Sequence, residues 1–422
     1  MEWLLTILCL GAVLFLGDDN RLLPVLVCLP IGFSFIRALR RKEELFSPSI
    51  FFTAFYLLWM GAGFAVSFFQ RNQGNHPNFA QLAFLILLAY FAWLIGLRFP
   101  RLRFSTPSPI TEKTDASPSS YDRAMKICLA FLIAGLAFTA YFYLGGALKT
   151  LLSGRIEESR ISMFYGRGYL YFLAKSINTV VPIYIGLKWY GRKEFNFFDC
   201  LLLLAAVFLI AFPLSRRPVM WFLIILIILY YYLKNRFSYR RALFLGGIFL
   251  IAAVAIHQIR SPGMGFINRF FLEIRVHVEN IVLYLRNLDL IGNQGLRPFL
   301  MNISMLMPGH QIDFGLWLKE TLGLTFAGGG ISVTLIGEGF LVGGRGGVVV
   351  EAFLIGVLLK ITYRKMKESF TLRHLLIYII ILYKATEAIN YGLALQLISG
   401  IYEIGLVLLI VPPKLIPGAK PS

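Results

Sequence analysis

Apolar runs about as long as a membrane-spanning helix recur along nearly the whole chain, with short polar connections between them. A helix needs roughly 17–25 mostly apolar residues to cross the hydrocarbon core of a bilayer. Such runs occupy residues 3–17, 22–38, 48–69, 79–97, 124–144, 168–188, 197–213, 218–233, 242–258, 347–363, 373–389 and 397–412. The pattern predicts an all-α, polytopic membrane protein with about twelve transmembrane helices.

Composition agrees with this prediction. Of the 422 residues, 58% are hydrophobic and 15% are charged, whereas soluble domains have about 45–50% apolar and about 25% charged residues. We therefore expect a single integral membrane domain over residues 1–422. The first run, MEWLLTILCLGAVLFLG, has neither a basic start nor a small-residue cleavage site, so it is interpreted as a membrane helix and not as a signal peptide.

The basic connections indicate a topology. Lys and Arg accumulate in the cytoplasmic connections of membrane proteins. The basic stretches 36–44, 98–123, 188–194, 234–241 and 362–369 all fall on one side if the N-terminus is cytoplasmic. Both termini are then cytoplasmic, and 98–123, with its Pro/Ser/Thr-rich middle, is a cytoplasmic linker loop. Because topology explains most of the net charge of +19, no nucleic-acid partner is expected.

The longest connection is a large external segment, residues 258–328. Within it, FINRFFLEIRVHVENIVLYLRNL has helical periodicity, and Arg269, Glu273, His277 and Asn280 fall on one polar face. We expect this helix to lie on the outer membrane surface or to cap the helix bundle.

The stretch GGGISVTLIGEGFLVGGRGG, residues 328–347, does not fit a full membrane span. It is short and rich in glycine, and counting it as a span would place the basic connection 362–369 outside. We predict a re-entrant segment at the outer side, because irregular backbone is tolerated at membrane depth only beside protein or a water-filled cavity. Glu338 and Arg345 are then candidates for the lining of that cavity.

Several basic residues remain unexplained by topology, and nearly all of them are arginine. Arginine is suited to bidentate binding of phosphate and carboxylate groups. The candidate anion-binding residues are Arg155, Arg160, Arg167, Arg216, Arg217, Arg260, Arg269 and Arg345. For Arg155 and Arg160, flanking Glu157 and Glu158, and for Arg269, near Glu273, local ion pairs are the alternative interpretation. Arg217 has no acidic residue near it in the sequence.

Three residues are candidates for a general base: His310, His277 and Glu338. A histidine of near-neutral pKa is the usual base for a hydroxyl nucleophile, although a lone histidine is often structural. A glutamate in apolar surroundings is either paired, here with an arginine, or catalytic. For Glu387 an ion pair with Lys384 is expected. No CxxC, CxxH or HExxH spacing occurs, so neither a metal site nor a cofactor is expected.

The order of GRGYLYFL, SRRP, a long external segment and the glycine-rich stretch resembles the Wzy-type oligosaccharide repeat-unit polymerases. Ile336, Gly337, Glu338, Phe340, Gly343 and Gly346 carry the resemblance. It implies a GT-C-like glycosyltransferase of the bacterial inner membrane that makes O-antigen or capsule. It also implies metal-independent, inverting transfer on the periplasmic face between glycans linked to undecaprenyl pyrophosphate.

The same resemblance implies partners from one pathway, namely a chain-length regulator and a flippase. Two alternatives stay open. An O-antigen ligase-type glycosyltransferase would use the same donor and a different acceptor. A polysaccharide flippase or transporter would also suit twelve helices, although no paired halves with matching broken helices are visible.

Overall fold

A computed structural model describes most of the chain and places its long apolar helices side by side. It describes residues 1–70, 78–99, 118–142, 175–191, 193–211, 216–234, 237–238, 240–241, 244, 247, 265–305, 307, 312–325 and 330–413. All regular structure in this part is helical, as expected for the all-α class.

Sixteen helices can be numbered along the described residues. They are α1 (Glu2–Val13), α2 (Leu23–Arg40), α3 (Pro48–Tyr56), α4 (Gly63–Gln70), α5 (Phe79–Arg98), α6 (Pro118–Phe142), α7 (Ile177–Tyr190), α8 (Phe197–Ala211), α9 (Arg216–Leu233), α10 (Phe266–Arg286), α11 (Leu288–Ile291), α12 (Arg297–Ser304), α13 (Phe314–Thr321), α14 (Leu335–Glu368), α15 (Leu372–Tyr391) and α16 (Leu393–Ile410). A π-helical turn, Leu57–Ala62, joins α3 to α4 without a break.

Six helical stretches of the described chain are long and apolar enough to cross a membrane. These are Leu23–Arg40, Pro48–Gln70, Phe79–Arg98, Ser120–Tyr141, Leu335–Glu368 and Leu393–Ile410. Glu2–Val13, Phe197–Ile210 and Arg217–Leu233 are shorter apolar helices. The chain is therefore a multi-pass helical membrane protein by length and composition. The predicted run 242–258 lies almost wholly outside the described residues.

The basic connections meet at one end of the bundle, which we call the basic end. There the Glu2 carboxylate pairs with Arg37, at 3.2 Å, and with Arg98. Glu44 pairs with Lys367 at 2.6 Å. The Glu2 contacts join the N-terminus of α1 to the C-terminal ends of α2 and α5. The Glu44 contact joins the connection after α2 to the C-terminal end of α14. These ends therefore lie on one side of the bundle, as the predicted alternation of the connections requires.

Helix α5 and the second half of α14 run in parallel at close range. A Cβ atom on Gly96 would lie 3.1 Å from the Gly356 Cα, so only glycines allow this approach. Nearer the opposite end, the guanidinium carbon of Arg345 lies 5.2 Å from the centroid of the Phe84 ring. α14 is thereby fixed along the length of α5.

Helix α10 packs into the bundle and does not lie flat on its surface. Its apolar side chains Ile274, Val278 and Ile281 are buried, and His277 on its polar face is only 6% exposed. Of the two placements expected from its periodicity, contact with the bundle is the one observed.

Candidate functional site

The end of the bundle opposite the basic end is organised around a break between α15 and α16. Gly392 sits at the break with φ of +79°, a left-handed conformation that favours glycine. A Cβ atom there would collide with the carboxylate of Glu338. Glu338 Oε1 accepts a hydrogen bond of 2.7 Å from the Ala394 N–H in the first turn of α16. In place of the expected arginine, Glu338 binds backbone at a helix N-terminus.

Arg217, from the first turn of α9, reaches the last turn of α15. Its Nε donates to Glu387 Oε1 at 2.5 Å, and its guanidinium carbon lies 3.5 Å from the Tyr391 ring centroid. The Gln396 amide, oriented by its neighbours, donates to Glu387 Oε2 at 2.8 Å and accepts from Arg217 Nη2 at 3.0 Å. The Arg217 side chain is nevertheless 30% exposed, so it remains accessible to a ligand.

A second ion pair lies directly behind the first. Lys384 Nζ is 2.7 Å from Glu403 Oε1 and 3.9 Å from Glu387 Oε2. The Tyr383 hydroxyl also donates to Glu403. The expected ion pair of Glu387 with Lys384 is present, at 3.9 Å. Arg217 is a second and closer cation, because α9 approaches α15 across the bundle.

Further charges surround this cluster. Lys175 acts electrostatically on both Lys384 and Glu387, and Glu273 acts together with Arg217 on the neighbouring His277. Glu387 and Glu403 are each about as buried as a core residue. Buried charges are costly unless they are paired. Arg217 lies at the exposed edge of the cluster.

His277 stands beside Arg217 as a neutral imidazole. Its ring contacts Trp59 and Tyr391 edge to face, with centroids 5.3 and 5.7 Å apart. Burial lowers the pKa of His277 to about 4, against an opposing effect of Glu273 and with a further lowering by Arg217.

The tautomer of His277 follows from its hydrogen bonds. The Ser332 hydroxyl donates its one hydrogen to the Asn390 carbonyl. His277 Nδ1, which lies 3.0 Å from the same hydroxyl oxygen, must then be the donor in that contact. The other ring nitrogen, Nε2, consequently carries the lone pair. A neutral imidazole held this way can accept a proton at Nε2.

Residues 330–334 connect His277 to the rest of the site. Asn280 and Tyr284 donate to the Ser332 carbonyl at 3.2 and 2.8 Å. The Thr334 side chain then caps α14 by accepting from Gly337 N. The polar face of α10 thus positions the segment that leads into the glycine-rich stretch.

The glycine-rich stretch forms the first half of α14 and a reversal of the chain. The helix is interrupted at Gly343 and Gly344, which have non-helical dihedral angles. A Cβ atom on Gly339 would lie 2.9 Å from the Val348 Cα, so the two halves pack side by side. Arg345 lies just beyond the reversal, exposed and against Phe84. This geometry is compatible with the predicted re-entrant segment.

Three of the predicted site residues, Arg217, His277 and Glu338, therefore meet around one helix break. Arg345 lies apart from the charge cluster, against the Phe84 ring. Arg155, Arg160, Arg167, Arg260 and His310 lie outside the described residues, as do the side chains of Arg216 and Arg269. The described chain holds no group of three or more side chains suited to a metal ion.

Sequence reasoning missed Gln396 and Glu403 and named Lys384 only as an ion-pair partner of Glu387. Gln396 and Glu403 are polar residues of the largely apolar helix α16. Ionisable residues at membrane depth mark functional sites by default. Applied to the last helix, that rule would have found Glu403.

No protein-family model, curated protein or solved structure matches this chain.

Proposed function

We propose that the chain is a membrane glycosyltransferase that polymerises lipid-linked oligosaccharide repeat units. The proposal rests on one observation: the partly exposed Arg217, oriented by Glu387 and Gln396, lies beside the neutral His277. One group suits a phosphate leaving group, and the other suits a hydroxyl nucleophile. Both lie at the end of the bundle opposite the basic connections. Because the positive-inside rule assigns the basic connections to the cytoplasm, this end is assigned to the periplasm.

In the proposed reaction, a sugar hydroxyl of one lipid-linked glycan attacks the anomeric carbon of another. The new glycosidic C–O bond forms as the bond from that carbon to the pyrophosphate oxygen breaks. The electron pair leaves with the lipid pyrophosphate, and the hydroxyl proton passes to a base. Inversion at the anomeric carbon follows from attack opposite the leaving group.

Arg217 is assigned to the pyrophosphate. A guanidinium stabilises charge that develops on phosphate oxygens, and the effect is greatest where it is already oriented. Glu387, Gln396 and the Tyr391 ring hold Arg217 in one orientation. Lys384 and Lys175 add positive potential behind it.

His277 is assigned as the base, through Nε2. Its pKa of about 4 is similar to that of an ordinary carboxylate, so it is neutral and ready to accept a proton at physiological pH. Glu338 is assigned a positioning role, because its carboxylate is almost fully buried and engaged with α16 backbone.

The test is deletion of the gene in its host, followed by complementation and electrophoresis of the surface glycan. A polymerase predicts that the deletion leaves glycan with a single repeat unit. Complete loss of surface glycan would instead favour the ligase or flippase alternatives. An unchanged ladder would contradict all three.

Complementation with Arg217→Lys tests the site. Lysine keeps the charge and loses the bidentate fork, and we expect shortened ladders at unchanged protein level. Arg364→Ala is the matched control, because Arg364 forms an exposed ion pair with Glu368 towards the basic end. His277→Gln should also shorten the ladder, and full-length polymer from both site variants would contradict the assignment.

A further inference from the structure

Helix α12 has an apolar stripe that no described protein residue covers. Leu296, Leu300, Ile303 and Met307 are 69%, 63%, 43% and 57% exposed. Leu300 and Ile303 lie three residues apart on one face of α12, and Leu296 and Met307 flank the helix at its two ends. Leu290, just before, is 60% exposed as well. Large apolar side chains gathered in this way mark an interaction surface.

The opposite side of α12 is fixed to the protein. Pro298 and Asn302 are buried, and Met301 packs against the small core that includes Phe314 and Leu318. α12 also packs against α16. Upstream, Gln294 N donates to the Leu341 carbonyl at 2.8 Å, close to the chain reversal at Gly343. α12 is thus held near the end of the bundle that carries the Arg217 site.

We propose that the stripe of α12 inserts into the lipid surface at that end of the bundle. α16 is a candidate span whose own Ile401 is 70% exposed, as a lipid-facing residue would be. α12 packs on this helix, so its exposed apolar residues lie near a surface that faces lipid if α16 spans the membrane. An amphipathic helix in this position lies in the headgroup region with its apolar side buried about 5–10 Å deep.

A second protein copy is the less suitable occupant because the surface is small. Eight helical residues extend about 12 Å, whereas a stable interface takes about 800 Å² from each partner. The charge at the helix also suits a lipid surface. Arg297 is exposed at the start of α12, and its guanidinium carbon lies 4.0 Å from the Trp317 ring centroid. Arginine beside an aromatic ring is typical of the membrane–water interface.

The experiment places a fluorophore on the stripe and measures how strongly it is quenched by a quencher in the lipid and by a quencher in the water. The full-length protein, with Cys28→Ser and Cys200→Ser, receives one new cysteine at Leu300→Cys or, as a control, at Glu320→Cys. Both positions are exposed, and Glu320 lies on the neighbouring helix α13. Each labelled protein is checked for monodispersity and reconstituted in vesicles of phosphatidylcholine and phosphatidylglycerol.

Brominated phosphatidylcholine should quench the label at position 300 at least about twofold more than the label at position 320. Aqueous iodide should show the reverse order. Equal quenching of both labels by iodide would overturn the proposal and leave α12 in water. Protection of position 300 from both quenchers would also overturn it and favour a protein occupant. Neither result depends on the proposed glycosyl transfer.

Discussion

At the scale of single residues, Arg217 and Glu387 illustrate how a membrane protein keeps charge at a site. Glu387 is buried, and Arg217 Nε and the Gln396 amide both bind its carboxylate. Removing one partner of a buried ion pair leaves an uncompensated charge, which costs more than the net contribution of the pair. Stability and ligand binding are therefore coupled at this position.

A double-mutant comparison measures the energetic coupling between Arg217 and Glu387. Arg217→Met should destabilise the protein by on the order of 3 kcal/mol, because Glu387 then loses its closest cation. Arg217→Met with Glu387→Gln should recover more than half of the loss, since no buried charge is left unpaired. Thermal unfolding in detergent measures both. A double variant less stable than the single variant would contradict the argument.

The titration of His277 predicts a pH dependence of stability. Its pKa is about 4 in the folded protein, whereas an unperturbed histidine has a pKa of about 6.5. Between these values the unfolded chain binds a proton that the folded protein excludes, so stability falls as pH falls from 6.5 towards 4. The full shift corresponds to roughly 3 kcal/mol.

We expect His277→Gln to flatten the dependence of the unfolding midpoint on pH between neutrality and pH values near 4. His374→Gln, towards the basic end, is the control for loss of a histidine elsewhere. Wild type and His277→Gln with identical pH profiles would show that His277 titrates normally.

Glu351 offers a different prediction at the same scale. It is 4% exposed, and neither of its carboxylate oxygens has a hydrogen-bond partner among the described residues. Glu351→Met keeps the volume and removes the polar group, so stability should rise by about 1–3 kcal/mol. Glu368→Met, in an exposed pair with Arg364, should change little. A destabilised Glu351→Met would mean that the carboxylate has a partner such as water or a cation.

At the scale of elements, α14 depends on contact between its two halves. A Cβ atom on Gly347 would overlap the Gly339 carbonyl oxygen, whereas one on Gly346 would have no atom within 4 Å. Gly347→Ala should therefore cost about 1–3 kcal/mol through overpacking. Gly346→Ala should be neutral or gain about 0.5–1 kcal/mol from helix propensity. Equal unfolding midpoints for the two variants would show that the halves are not packed together.

Element positions were largely predictable from periodicity. Eleven of the twelve predicted apolar runs overlap helices, and the predicted helix at 266–288 is observed as Phe266–Arg286. Apolar periodicity determines a helix and its faces, because both depend on local spacing. The break at Gly392 was not predicted. A glycine between two apolar runs does not show that the carboxylate of Glu338, distant in sequence, will occupy the space where a side chain would lie.

At the scale of the whole molecule, the partners of the site residues were the unpredictable part. Arg217 and Glu387 are 170 residues apart, and a periodic pattern does not state which helices become neighbours. The local expectation of a Lys384–Glu387 pair is confirmed, but it did not include the closer cation, Arg217. Arg217, His277 and Glu338 were each predicted individually as candidates, because ionisable residues are costly to bury.

The two ends of the bundle can be assigned to the two sides of the membrane by cysteine labelling. Gly343→Cys is suitable because Gly343 is exposed and a side chain there meets no atom within 4 Å. Glu194→Cys lies exposed towards the basic end. With Cys200→Ser as background, a membrane-impermeant maleimide should label position 343 in intact spheroplasts. Position 194 should react only after permeabilisation. The reverse pattern would invert the topology.

Glu338 has a consequence for how any anion can bind this molecule. Helix N-termini attract phosphate groups through their backbone N–H donors, and α16 begins at the site. Its first turn already holds an internal anion, the Glu338 carboxylate on Ala394 N, and Gly392 leaves the room for it. The Glu338 carboxylate therefore occupies the backbone position that a bound phosphate would otherwise take at the N-terminus of α16. Under the proposed function, the pyrophosphate must therefore bind side chains such as Arg217, because the first backbone donors of α16 are already occupied.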